Sequence, residues 1–157
     1  MPSLRSTSGR AAASRPVVQL VALAVAATFL LVGVLGFVPG ITTNIGDLSF
    51  AGHHSGAELL GIFQVSVLHN LVHLGLGLVG VVLARTASGA RLFLLGGGFA
   101  YLVIWLYGLF IEKESGLNFV PLNEADDWLH LALGLGMLAL GLMLTDPMSS
   151  TRSRSSH

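Results

Sequence analysis

Between Val17 and Val38 the chain runs without a single charged side chain, and no other feature restricts its fold as strongly. At a helical rise of about 1.5 Å per residue that run is about 33 Å long, matching the ~30 Å hydrocarbon core of a bilayer. Three more apolar stretches follow, Leu59 to Ala84, Leu92 to Ile111, and Trp128 to Leu144, the last with His130 as its only ionisable group. In lipid every backbone polar group must be satisfied within its own segment, so the stretches are expected to be helices; no alternating barrel pattern competes. Ser55, with Glu58 three residues later, has the form of a capping box that would start the second helix.

The expectation is an all-α membrane protein with four spans, at about 17–38, 59–84, 92–111 and 128–144. They form a transmembrane domain over 17–145 between tails 1–16 and 146–157, which are polar, low in complexity and expected to be disordered. The arginines ahead of the first span suit a signal peptide, but the apolar run exceeds the roughly 7 to 15 residues of an h-region, so an uncleaved anchor is expected.

Composition agrees. Hydrophobic residues make up 53% of the chain and charged residues 10%, against about 25% charged in ordinary soluble domains. The formal net charge is zero, which removes the basic excess of a nucleic-acid binder. There is no cysteine, hence no disulfide, thiol nucleophile or Cys-ligated metal. The zero is a cancellation across the membrane. With four spans both tails share one side, which collects seven arginines against Asp146 for a formal +6, while Lys113 faces seven acids on the other for −6. The positive-inside rule then places both termini in the cytoplasm of a multi-pass cell-membrane protein, with Arg85 to Arg91 as a tight cytoplasmic turn.

The chain also resembles a duplicated hairpin. Phe37-Val38-Pro39 and Phe119-Val120-Pro121 are expected to end the first and third spans, and His73-Leu74-Gly75-Leu76-Gly77-Leu78 matches His130-Leu131-Ala132-Leu133-Gly134-Leu135 in the second and fourth. Tandem hairpins of this kind form a parallel repeat, its pseudo-two-fold axis along the membrane normal, with His73 and His130 at matching depth. Small residues four apart, Ala22/Ala26, Gly80/Ala84, Gly96/Ala100 and Ala132/Gly136, are expected to bring helices together, so that Gly96→Leu should separate them. Gln19 and Thr28 are expected to bond between helices, and Tyr101, Trp105 and Tyr107 to pack or sit at the interface.

Together, Gly36-Phe37-Val38-Pro39-Gly40, Leu68-His69-Asn70-Leu71-Val72-His73-Leu74, Asn118-Phe119-Val120-Pro121-Leu122-Asn123 and Asp127-Trp128-Leu129-His130 resemble a family of small actinobacterial four-span membrane proteins catalogued as domain of unknown function 4383. The resemblance covers about residues 17–145. It implies a cell-membrane location and a four-helix form, and it implies no activity and no catalytic residues.

Ionisable groups inside a membrane helix are costly and count as functional candidates. Here the candidate polar cluster is His69, Asn70, His73, Asp126, Asp127 and His130. His69 and His73, four apart, share a helix face, and Asp126 and Asp127 stand one turn before His130. Three imidazoles and a carboxylate suit zinc or another divalent metal, with His53, His54 and Glu58 as further ligands or a delivery path. A bis-histidine haem between His73 and His130 lacks any accompanying redox signature. The simpler reading needs no ligand. Asn123 caps the fourth helix, Asp126 and Asp127 complement its dipole, Trp128 anchors the interface, and the histidines hydrogen-bond across the bundle. Gly96-Gly97-Gly98 lacks the strand and lysine of a phosphate loop, and no nucleophile elbow occurs. The expectation is a non-enzymatic structural or accessory bundle without cofactor, in contact with lipid and with a second copy or another membrane protein. The alternative is a metal- or proton-handling protein using His69, His73 and His130.

Overall fold

The computed structural model describes residues 16–144; the two tails expected to be disordered lie outside the described residues, apart from Pro16. The described residues are helical apart from one small sheet and the connections: α1 (Val17–Leu35), β1 (Thr42–Thr43), a 3-10 turn (Ile45–Asp47), β2 (Glu58–Leu59), β3 (Phe63–Gln64), α2 (Val67–Leu83), α3 (Ala87–Phe110) and α4 (Glu124–Met143). α1 packs mainly on α2, and α3 on α4, so the fold is two hairpins side by side. α1, α3 and α4 are long and apolar enough to cross a membrane, and α2, with 17 residues, is shorter.

The boundaries follow from caps. Ser66 accepts a hydrogen bond from the His69 amide and starts α2, well after the capping box expected at Ser55 and Glu58. That expectation fails because the chain turns through positive φ at Leu60 (57°) and Gly61 (67°), folding Glu58–Leu59 and Phe63–Gln64 into antiparallel partners and leaving Ser55 buried on the Val65 carbonyl. Span 59–84 is therefore two strands followed by a helix about 26 Å long. Thr86 caps α3 through the Gly89 amide, so Arg91 lies within the helix rather than at the end of a turn. Asn123 caps α4 in a full capping box: its side chain accepts from the Asp126 amide, while Asp126 accepts from the Asn123 amide.

Two packing expectations are corrected. Phe119-Val120-Pro121 does not end α3; it follows the connection and leads into the α4 cap, with the Phe119 carbonyl accepting from the Gly52 amide. Gly96, Ala100, Ala132 and Gly136 face outward, and a methyl group added at Gly96 or Gly136 meets nothing within 4 Å. The close approaches are elsewhere, because a glycine brings helices together only where it faces a partner. A methyl group at Gly98 would stand 2.9 Å from the Gly134 carbonyl, one at Gly77 2.6 Å from Leu30, and one at Gly134 2.7 Å from Leu102. Ala22, Ala26 and Ala84 are fully buried, as expected.

Candidate functional site

The two hairpins make the same contacts at equivalent positions, with one constant spacing relating α1 to α3 and a second, shorter one relating α2 to α4. The Gln19 amide donates to the Ala84 carbonyl at 2.9 Å, and the Arg91 Nε donates to the Gly141 carbonyl at 2.9 Å. Leu30 lies over Gly77 as Leu102 lies over Gly134. Gly36 accommodates the Asn70 side chain, and Gly108 the Asp127 carboxylate. Ser66 and Asn123 are equivalent caps. The difference between the two spacings is extra chain in the first connection, where the small sheet lies.

This correspondence pairs His69 with Asp126, Asn70 with Asp127, His73 with His130, and Phe29 with Tyr101. The last two pairs meet at the centre. The Phe29 and Tyr101 rings stand 5.6 Å apart, edge to face; Phe29 lies 5.7 Å from the His73 ring and Tyr101 5.1 Å from the His130 ring. The Tyr101 hydroxyl reaches His73 Nε2 at 3.4 Å, while His73 Nδ1 bonds the His69 carbonyl at 3.1 Å. The His69 and His73 rings are 4.3 Å apart, as their spacing foretold, and His69 Nδ1 pairs with Asn70 Oδ1 at 3.3 Å. His130 is 5% exposed, yet its Nδ1 has no hydrogen-bond partner among the described residues, nor has Asn70 Nδ2.

The carboxylates serve other contacts. Asp126 accepts from the Asn123 amide and, at 3.1 Å, from the Gln64 amide, which fastens the small sheet to α4. Asp127 pairs with Lys113 at 2.6 Å, and the same ammonium donates to the Gly108 carbonyl near the end of α3. His53 and His54 stack on each other at 3.8 Å in the first connection. Among the described residues, no three His, Asp or Glu side chains stand close enough to ligate one ion. Thr28 bonds its own helix at the Ala24 carbonyl rather than a neighbour.

Two cavities meet at this centre, of about 200 and 340 Å³, and Phe29, His69, His73, Tyr101 and His130 line both. They occupy equivalent clefts, one between α1 and α4 and the other between α2 and α3. Val25, Thr28 and Val32 hold in the first the positions that Gly97, Ala100 and Ile104 hold in the second. The extra chain makes them unequal, for Leu59, Leu60 and Phe63 line the smaller one.

Tyr101, Lys113, Arg91 and the glycines Gly36 and Gly108 were not singled out as members of this site. The signal for Tyr101 was its spacing from Phe29, which equals that of Gln19 from Arg91. It was hidden because the two Phe-Val-Pro triplets are spaced more widely and suggest the wrong register.

A helical hairpin used twice, with helices long and apolar enough for a bilayer and a polar centre enclosed between them, defines a class: α-helical integral membrane proteins with an internal repeat. The chain belongs to the family described as Domain of unknown function (DUF4383), which matches residues 19–143. No curated protein matches the chain. No solved structure matches it either.

Proposed function

We propose that the protein is a four-span component of the cell membrane with both termini cytoplasmic, acting as a non-enzymatic structural or accessory bundle. The observation that carries this reading is the repeated locking of each hairpin by its own polar contacts, Gln19 and Arg91 on facing carbonyls and Asn70 and Asp127 against facing glycines. In lipid such contacts replace the hydrophobic drive that holds soluble bundles. The length of α2 is compatible with crossing, since a span a few ångströms short of the core is accommodated by local thinning. Phe110 and Trp128, 86% and 69% exposed beside the α3–α4 connection, suit an aromatic belt at the outer interface. The lipid-facing side chains of all four helices leave room for a second copy or another membrane protein.

A native chain without cysteine makes topology directly testable. Cysteines placed at the exposed positions Glu114 and Ser88 should react with a membrane-impermeant maleimide in intact cells and only after permeabilisation, respectively. The reverse pattern would contradict the orientation.

A second reading, a metal- or proton-handling protein, draws on the meeting of His73 and His130 at Tyr101, with His69 beside His73. Elemental analysis and an absorption spectrum of the purified protein separate the two. Stoichiometric metal that is lost in a His73→Ala, His130→Ala double variant favours the second; absence of metal with reduced stability in that variant favours the first.

A further inference from the structure

We propose that the cleft between α2 and α3 is a binding site for a membrane-dissolved lipophile that carries one hydrogen-bonding head group, such as a long-chain alcohol. The head would rest on His130, Tyr101 and His73, and the apolar body would lie along the two helices. The proposal goes beyond the structural reading and rests only on its placement of the bundle in lipid.

Three observations carry it. The cavity of about 340 Å³ lies within the size range of small-molecule sites, about 300 to 1,000 Å³, and has their composition, apolar walls with a few convergent polar groups. Its walls are Val72, Leu76 and Val79 of α2, exposed apolar side chains that a soluble protein would bury, and Gly96, Ala100 and Ile104 of α3. From Leu92 to Ile104 the α3 wall rises about 18 Å, comparable to the ~15 Å of one leaflet's hydrocarbon. The polar end is a buried donor or acceptor without a partner. His130 lines the cavity with its Nδ1 unbonded among the described residues, beside a Tyr101 hydroxyl whose one bond, to His73, is long at 3.4 Å. An unsatisfied buried polar group costs about 1 to 3 kcal/mol, and a hydroxyl head group placed there would satisfy it.

The repeat explains why one cleft is open. Duplication produces two, and the extra chain of the first connection puts Leu59, Leu60 and Phe63 at the smaller one, with Asp126 in the position of His69. At the larger cleft the α3–α4 connection contributes only Val120. This cleft also gives the outward-facing glycine a role. At Gly96 an added methyl meets nothing within 4 Å, so the residue keeps the cleft wide rather than helices close.

The test uses the full chain in lipid nanodiscs with two photoactivatable probes, a diazirine-bearing palmityl alcohol and the same chain as a plain hydrocarbon. The proposal predicts that the alcohol labels residues 68–83 and 92–104 several-fold more than the hydrocarbon does. Gly96→Phe, whose Cβ meets nothing within 4 Å, places a ring at the cleft and should abolish the excess, as should His130→Phe. Equal labelling by the two probes, or an excess that survives Gly96→Phe in protein eluting at the native volume, would overturn the proposal while leaving the membrane reading intact. Labelling by neither probe anywhere on the helices would instead overturn the membrane reading and this site with it. Should His130→Phe fail to fold, Gly96→Phe alone decides.

Discussion

The rings of Phe29 in α1 and Tyr101 in α3 pack edge to face at 5.6 Å, and each leans on a histidine of a returning helix, Phe29 on His73 and Tyr101 on His130. The two aromatic residues are the same position in two copies of one hairpin. Around them the fold repeats its contacts at equivalent positions, and differences between the copies, among them a hydroxyl on one ring, Asp126 in place of His69 and a longer first connection, distinguish the two halves.

Glycines at the repeated contacts should be intolerant and those facing outward tolerant. A side chain at Gly36 or Gly108 collides with Asn70 or Asp127, so Gly36→Leu and Gly108→Leu should each lower stability by about 1 to 3 kcal/mol or more through overpacking. Gly96→Leu and Gly136→Leu should stay within about 0.5 kcal/mol of the native protein. Unfolding in mixed micelles, followed by circular dichroism, measures all four; a Gly96→Leu loss as large as that of Gly36→Leu would refute the assignment of faces.

Lys113 and Asp127 form an ion pair in which the carboxylate is largely buried and the ammonium partly exposed. Lys113→Met strands the carboxylate, and the expected loss is about 2 kcal/mol, between the values for surface and buried pairs. Asp127→Asn makes the second hairpin resemble the first, where Asn70 fills the same place without a cation. Adding it to Lys113→Met should recover most of the loss. If the double variant is less stable than Lys113→Met alone, the equivalence of positions 70 and 127 is wrong.

Among the described residues the Tyr101 hydroxyl has one partner, His73 Nε2, and the equivalent residue, Phe29, has no hydroxyl. A double-mutant cycle of Tyr101→Phe with His73→Ala should give a coupling of about 0.6 kcal/mol, the mean for interhelical bonds in lipid. A coupling indistinguishable from zero would remove that bond from the account.

Much of this was legible in the residues. Helix class, three helices long and apolar enough to cross a membrane, the Asn123 cap and the closeness of His69 to His73 follow from hydropathy and spacing, because a bilayer permits few structures and helical neighbours are fixed by period. The start of α2 was not legible, since Leu59 to Ser66 is as apolar as a span and only the left-handed turn at Leu60 and Gly61 breaks it. Nor were the packing faces. Small residues four apart mark a face without saying what it meets, which is why Gly96 and Gly136 looked like Gly98 and Gly134. The repeat was visible in α2 and α4 through their histidines, but the connection length displaced the register of α1 and α3, and with it the partnership of Phe29 with Tyr101.

The central claim is that the bundle consists of two equivalent hairpins, each closed on itself by the same contacts. A chain free of cysteine allows paired cysteines to test it in native membranes. Leu30→Cys with Gly77→Cys, and Leu102→Cys with Gly134→Cys, should each form an intramolecular disulfide with mild oxidant to a similar extent, because both pairs are direct contacts at equivalent positions. The exchanged pairs, Leu30→Cys with Gly134→Cys and Leu102→Cys with Gly77→Cys, should not. Cross-linking of the exchanged pairs, or of only one of the two direct pairs, would contradict the duplicated-hairpin account.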